Sequence, residues 1–226
     1  MALYLSNMSP IVSMSVSLLI YDTGCKASGQ PWKKVGWWNL KAGQSILPDA
    51  LNVNLTTVNS WVGIYAYSGV ASWQGTGNAW FKIPRPAGFN KCGEDETNCT
   101  LWVDYYGVEF TGDPNYVVYI GTNPDQITGH APSISITPGE YPIGAGFEIE
   151  GAGFIPGSTV TVGWDYVYEG GADEDQNLNA AAFTVMPDGT FGGILAVYWM
   201  RYAGNLSVQA IDNAWGLKAT ATAVFA

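Results

Sequence analysis

The residues best suited to ligand chemistry are aromatic and fall between positions 37 and 80. They are Trp37, Trp38, Tyr65, Tyr67, Trp73 and Trp80. Indole and phenol rings can stack on the apolar face of a sugar, and aromatic side chains are also enriched at the centres of protein interfaces. The same rings would equally fill the core of a small domain. Because Trp37 and Trp38 are adjacent, they must point to opposite sides of a strand, and we expect at least one to face away from the main core.

A second group with binding chemistry is acidic and lies in one loop, residues 169–177. It contains the carboxylates of Glu169, Asp173, Glu174 and Asp175. Oxygen ligands on a flexible loop suit Ca²⁺, so Ca²⁺ is the one cofactor that the sequence suggests, and no organic cofactor is expected. The spacing of an EF-hand loop is missing, and a solvated hairpin tip is the simpler interpretation.

The chain has three cysteines, Cys25, Cys92 and Cys99. Cys92 and Cys99 flank a short acidic loop and could close it as a disulfide, which would leave Cys25 free. Three free thiols in a reducing compartment are the alternative. The sequence has no CxxC or Cys/His spacing, so a zinc site is not expected.

Catalytic motifs are missing from the sequence. His130 is the sole histidine, and it lies in a segment that we interpret as a linker, where a Ser/His/Asp triad would be poorly preorganised. There is no G-x-S-x-G, H-E-x-x-H or phosphate-loop motif. We therefore expect the protein not to be an enzyme.

The charge balance disfavours several classes of partner. Nine basic residues stand against nineteen acidic ones, for a net charge of −10. Such a surface repels DNA, RNA and anionic lipid. The charged fraction of 12% is about half the usual ~25%, which is common in secreted, surface-exposed and virion β proteins. We therefore expect an extracellular, cell-surface or virion location rather than a cytoplasmic one.

No apolar run reaches the length of a membrane helix. The apolar stretch Ile11–Tyr21 has no basic residues before it, and serines interrupt it at every second position. This is the period of a half-buried strand, so we do not interpret the stretch as a signal peptide.

The distribution of turn residues and alternating apolar runs along the chain predicts an all-β protein with two β-sandwich domains. Glycine (28 residues) and proline (12) recur throughout, and alternating apolar runs such as Leu51–Val58 and Leu101–Phe110 lie between them. Residues 121–132 are polar, contain two prolines and have no period. We therefore place a linker at 123–131, between domains at 1–122 and 132–226.

The second domain carries three ordered motifs. They are Gly151-Ala-Gly-Phe-Ile-Pro-Gly-Ser158, Asp188-Gly-Thr-Phe191 and Ala210-Ile-Asp-Asn-Ala-Trp-Gly216. Together they resemble the bacterial immunoglobulin-like domains that share a G-x-G-F-x-P-G-S motif. The resemblance implies an immunoglobulin-like sandwich that serves as a spacer in surface, secreted and phage proteins.

The first domain has weaker signatures. They are the opening Leu3–Asn7, the motif Gly36-Trp-Trp with Gly43, Tyr65-Ala-Tyr67 and Trp73-Gln-Gly75. In this order they resemble DUF1036, a small bacterial β family of unknown function. Ser45 stands where that family usually has a cysteine. Similar openings occur in small β-sandwich toxins, including bacterial insecticidal proteins.

Three functions are compatible with these features. The first is a non-catalytic binding or adhesion protein whose aromatic domain contacts a glycan or a receptor, with the second domain as spacer. The second is a self-assembling extracellular or virion subunit, such as a filament, sheath or decoration protein, and hence a homo-oligomer. The third is an insecticidal or toxin-like β protein. Exposure of Trp37 and Trp38 in a groove would favour the first function, and burial against another copy the second.

Overall fold

The computed structural model describes residues 2–28, 31–48, 61–69, 71–77, 79–85, 88–109, 115–121, 127–137, 146–168, 179–196 and 204–225. Within these ranges the chain forms nineteen β-strands and one short 3₁₀ helix, Thr23–Ser28. The chain divides into two compact units, Met1–Ala131 and Pro132–Ala226. The predicted all-β class is confirmed.

Three β layers build the N-terminal unit. Its strands are β1 (Ala2–Asn7), β2 (Met14–Tyr21), β3 (Trp32–Leu40), β4 (Ser45–Ile46), β5 (Trp61–Tyr67), β6 (Ser72–Trp73), β7 (Trp80–Ile83), β8 (Phe89–Cys92), β9 (Leu101–Asp104), β10 (Tyr106–Glu109), β11 (Asn115–Ile120) and β12 (Ile127–His130). A four-stranded sheet has the order β12-β11-β1-β4, with β1 and β11 parallel. A six-stranded sheet has the order β10-β5-β2-β3-β8, with β6 beside β5. β7 and β9 pair in a separate antiparallel ribbon.

The main core lies between the two larger sheets. β2 contributes Met14, Val16, Leu18 and Ile20 to this core, as its alternation predicts, and Leu5 of β1 joins the same cluster from the facing sheet. Burying such side chains on one face of each sheet is what holds a sandwich together.

The six-stranded sheet buries its second face as well. Tyr65 on this face packs with Ile83 and Val103 of the ribbon, and together they belong to an outer core. Ser17 of β2 is fully buried here, with its Oγ 2.6 Å from the hydroxyl oxygen of Tyr105. The strand that we predicted to be half-buried is therefore buried on both sides, because the ribbon covers its serine-bearing face.

Seven strands form the C-terminal unit. They are β13 (Ser133–Thr137), β14 (Gly146–Ala152), β15 (Thr159–Tyr168), β16 (Asn179–Thr184), β17 (Phe191–Ala196), β18 (Gly204–Asp212) and β19 (Lys218–Phe225). They make antiparallel sheets of order β13-β14-β17 and β16-β15-β18-β19. The sheets pack face to face, since the rings of Phe147 and Trp164 from opposite sheets lie 6.2 Å apart. The immunoglobulin-like assignment stays a prediction.

The three motifs of this unit meet in space. The ring of Phe154 from the first motif lies 5.3 Å from that of Phe191 in the second. Ser158 Oγ donates to the Asp212 carboxylate at 2.5 Å in a buried position, and the other oxygen of that carboxylate accepts the N–H of Ala214 at 2.9 Å. The three motifs therefore have a structural role: their residues form turns, and they supply hydrogen-bond donors to the buried Asp212 carboxylate.

The predicted linker 123–131 is wrong for its second half. Ile127–His130 is strand β12, which pairs antiparallel with β11, and Ile127 is buried. The division between the two units falls between Ala131 and Pro132, which is where we placed the start of the second domain. β12 pairs with β11 through backbone N–H and C=O groups, which polar residues also carry. A polar composition with nearby prolines therefore does not exclude a short strand.

The outcome differs for two other runs that we predicted as strands. The run Leu51–Val58 lies outside the described residues. The run predicted over Leu101–Phe110 is divided at Tyr105 into β9, which pairs with β7, and β10, which pairs with β5.

The predicted disulfide between Cys92 and Cys99 is wrong. Cys92 is bonded to Cys25 of the 3₁₀ helix, and Cys99 is a buried free thiol. Pairing of Lys33 with Cys92 across β3 and β8 brings Cys92 to the helix that precedes β3. Spacing in the sequence favoured the nearer cysteine, whereas the sheet brings together residues far apart in the chain.

Replacing both Cys25 and Cys92 by serine is expected to lower the free energy of unfolding by about 2–5 kcal/mol, because the bond spans a sequence separation of 67 residues. Denaturant unfolding without reductant measures the change. Cys99→Ala is the control, and it should retain the disulfide. A peptide map in which Cys92 is joined to Cys99 would contradict this pairing.

Candidate functional site

An aromatic cleft opens where the ribbon leaves the outer face of the six-stranded sheet uncovered. Its volume is about 710 Å³, within the usual range for small-molecule sites. The lining residues are uncharged: Leu19, Trp32, Trp61, Gly75, Thr76, Ala79, Trp80, Phe81, Tyr105, Tyr106 and Gly107. The lining therefore presents aromatic rings and no charged side chain.

Two tryptophans of the sheet form one wall. Trp32 begins β3 and Trp61 begins β5, and their rings meet edge to face at 5.1 Å. Trp61 also lies against Gly107, where an added Cβ would come within 2.2 Å of the indole Nε1. Because a glycine makes room for the indole, Trp61 is held against β10 without any ligand.

The opposite wall is the start of the ribbon. Trp80, the first residue of β7, is 53% exposed at the mouth of the cleft. Its cross-strand partner Asp104 is buried, and the Asp104 carboxylate accepts backbone N–H groups of Gly77 and of Ala79, the latter at 2.8 Å. This carboxylate therefore fixes the turn that carries Trp80.

A buried lysine connects the ribbon to the sheet. Lys34 of β3 is fully buried, and its ammonium donates to the carbonyl oxygens of Lys82 at 2.8 Å and of Asp95 at 2.9 Å. Burial lowers the pKa of Lys34 below the ordinary lysine value of 10.5. These two bonds hold the middle of β7 and the loop before β9 against the six-stranded sheet.

The acidic loop between β8 and β9 is ordered by further lysines. Lys91 lies 3.2 Å from the Asp95 carboxylate, and Lys82 lies 3.2 Å from that of Glu96. Hydrogen bonds from Thr97, followed by that from Lys91, lower the pKa of Asp95 to about 2. The loop is a structural support of the ribbon.

Trp80 is the predicted site residue that lines the cleft. Trp37 and Trp38 do point to opposite sides of β3, as predicted: Trp38 packs against the main core and Trp37 against the outer core. Trp37 Nε1 donates to the carbonyl of Pro84 at 3.0 Å, and its ring lies 5.9 Å from that of Tyr65. Both tryptophans are half-buried, so the pair contributes to packing in this chain.

Two of the predicted ligand contacts are wrong, because the side chains are buried. Trp73 is 1% exposed in the main core, and Tyr65 is buried in the outer core, where desolvation raises the pKa of its hydroxyl. Tyr67 is half-buried beneath Arg85, whose guanidinium lies 4.4 Å from the ring centre. Trp37, Tyr65 and Tyr67 thus share one side of the sheet, but they do not line the cleft.

Trp32 and Trp61 line the cleft from the outer face of the sheet, and the sequence did not predict them as site residues. The signal that could have found Trp61 is its parity with Tyr65 and Tyr67 along β5, because alternate residues of a strand share a face. A prediction that takes the aromatic residues as one group does not separate the two faces of each strand.

The Ca²⁺ site predicted at Glu169, Asp173, Glu174 and Asp175 lies outside the described residues, so it stays a prediction. In the part of the chain that the structure describes, histidine, cysteine, aspartate and glutamate side chains form no group of three or more that could hold a metal ion. The described residues also include no helix long and apolar enough to cross a membrane.

No family model matches this sequence, and no curated protein matches it. Among solved structures, the chain is similar to the crystal structure of a tetra-tandem repeat in the extending region of a large adhesion protein. The sequence identity is 10% and the TM-score 0.29, and the match covers 100% of this chain and 49% of that one. The chain thus spans about half the length of that structure, and a likeness at this level bears no argument about function. The resemblances to DUF1036 and to immunoglobulin-like domains remain predictions.

Lys34→Met is expected to lower the free energy of unfolding by about 1–3 kcal/mol for each buried carbonyl left without a donor. Because the folded-state pKa of Lys34 is lowered, the unfolded chain holds this proton more tightly. The stability of the wild type relative to Lys34→Met should therefore rise with pH, from the lowered folded-state pKa up to the ordinary value of 10.5.

Denaturant unfolding of both proteins across the alkaline range measures this difference. The matched control is Lys33→Met, which removes a partly exposed ion pair to Asp22 from the neighbouring position and should cost less than about 1 kcal/mol. Equal losses in the two variants would argue against the role given to Lys34.

Proposed function

We propose that the chain is a non-catalytic binding protein that acts in adhesion outside the cell or on a virion. The N-terminal unit binds a neutral glycan in the aromatic cleft, and the C-terminal unit serves as a spacer. The observation that carries this proposal is a concave, uncharged site in which Trp32, Trp61 and Trp80 are positioned before any ligand arrives.

The chemistry of the lining favours a sugar over other neutral ligands. Indole faces match the apolar CH face of a pyranose. The hydroxyl of Thr76 adds a hydrogen-bonding group at the lining, which a sugar can use and an acyl chain cannot. A charged ligand would lose its hydration against this surface without gaining a counter-charge.

The same lining favours binding over catalysis. The titratable side chain that lies on the outer face at the cleft is that of Tyr105, and burial raises its pKa further from neutrality. General acid–base catalysis instead uses groups whose pKa lies near the working pH. His130 lies in β12, a strand of the sheet on the far side of the main core.

A second candidate function, assembly with further copies, is favoured by β17. Among the described strands, β17 is at the edge of its sheet, and its Ile194 side chain is 73% exposed. An exposed apolar residue on an edge strand is a surface for pairing with another chain. No comparable feature among the described residues favours the toxin-like hypothesis.

Trp61→Ala is expected to weaken binding of neutral oligosaccharides by roughly tenfold, which corresponds to about 1.4 kcal/mol of lost binding free energy. Gly107→Ala should do the same while keeping the ring, because its Cβ displaces the indole of Trp61. Titrations followed by tryptophan fluorescence measure both effects.

The matched controls are Trp215→Ala in the C-terminal unit and Gly163→Ala, whose added Cβ meets nothing within 4 Å. Both should bind like the wild type. A flat wild-type response across a broad panel of glycans would refute the proposed function.

The assembly candidate has its own test. If copies associate through β17, Ile194→Lys should convert an oligomer into a monomer. Light scattering after size-exclusion chromatography measures the mass, and Met186→Lys, another exposed apolar position of the same unit, is the control. A wild-type protein that stays monomeric at high concentration would remove this candidate.

A further inference from the structure

We infer that the ligand is an extended glycan chain that leaves the cleft over Trp80 and stacks on a second platform at Trp102. This inference rests on the proposed function, and it specifies an internal stretch of a neutral polysaccharide in place of a single terminal sugar.

The strand register of the ribbon puts the two tryptophans on one face. Trp80 is opposite Asp104, and Lys82 is opposite Trp102. Because alternate and directly opposite residues share a face, the outward face carries Trp80, Lys82 and Trp102 together with Asp104, whose carboxylate is buried under the turn before β7. The intervening Phe81 packs toward the outer core. Trp80 and Trp102 are diagonal neighbours, a relation that places backbones about 7–8 Å apart and lets aromatic side chains reach a common surface.

Both indoles are open to solvent. Trp80 is 53% exposed and Trp102 55%, whereas Trp73 in the main core is 1% exposed. Trp80 belongs to the cleft and to the outward face at once. The aromatic wall of the cleft therefore continues onto the ribbon, and an occupant of the cleft that extends past Trp80 meets Trp102 next.

The second platform is positioned and nearly neutral. Lys82 Nζ lies 5.7 Å from the centre of the Trp102 ring, at cation–π distance, and 3.2 Å from the Glu96 carboxylate. The ion pair offsets the charge of Lys82 and holds its ammonium beside the indole. The surface from the cleft to Trp102 thus keeps the preference for an uncharged chain.

The test uses linear neutral β-1,4-linked gluco-oligosaccharides and their N-acetylated counterparts, from a disaccharide to a hexasaccharide. Wild-type affinity should rise with chain length until the chain covers both platforms. Trp102→Ala should leave the affinity for short chains unchanged and lower that for the longest by roughly tenfold. Trp80→Ala should weaken binding at every length, and Trp102→Tyr should restore part of the length dependence.

Two results would overturn the inference while leaving the proposed function intact. One is a wild type that binds with no gain from chain length, and the other is a Trp102→Ala variant that loses nothing on long chains. A wild-type dimer that Trp102→Ala converts to a monomer would instead assign this face to a second copy of the chain. If the wild type binds no member of either series and Trp61→Ala changes nothing on a wider panel, the proposed function fails as well.

Discussion

A two-stranded ribbon is narrower than the six-stranded sheet that it covers. Neighbouring strands lie about 4.8 Å apart, so β7 and β9 cover part of the outer face and leave the rest to large side chains. Trp32 and Trp61 occupy that remainder, and the ribbon ends beside them at Trp80. The cleft, its aromatic lining and its position all follow from this mismatch in width.

Covering the outer face also explains the unusual burial of polar groups. Ser17 and Lys34 point to the side of the sheet that a simple sandwich would leave in water, and both are fully buried with partners on the other layer. The buried Lys34 is tolerated because two carbonyl oxygens accept hydrogen bonds from its ammonium, although desolvation still lowers its pKa. The third layer therefore depends on a few directional bonds as well as on apolar contact.

Local patterns predicted the strands well and the contacts between distant strands poorly. The alternation along β2 and the turn motifs around Gly157 and Gly189 can be seen in the sequence because they depend on neighbouring residues. The pairing of β3 with β8 depends on the whole topology, so the partner of Cys92 could not be found from spacing. Period two also could not reveal that both faces of β2 are covered.

The sequence predicted that the candidate site is aromatic, but of the six residues that it named Trp80 alone lines the cleft. Aromatic density indicated Trp80, which lines the cleft, but it gave equal weight to Trp73, which fills the main core. Which ring is exposed depends on where the ribbon ends, and this is a property of tertiary packing. Residue type alone therefore cannot distinguish an exposed aromatic residue from one that packs in the core. Grouping the aromatic residues by alternate positions along each strand would have improved the prediction.

The lysine that holds the ribbon has a consequence for the motions of the N-terminal unit. β7 and β9 pair with each other and with no other strand among the described residues, so their attachment to the sheet relies on the outer core and on the two bonds of Lys34. Such a layer can open as a local unit at a lower free energy than global unfolding. Its opening would separate the walls of the cleft and uncover the thiol of Cys99, and a ligand bound between the walls would suppress it by mass action. Alkylation of that single free thiol would therefore report how often the cleft opens.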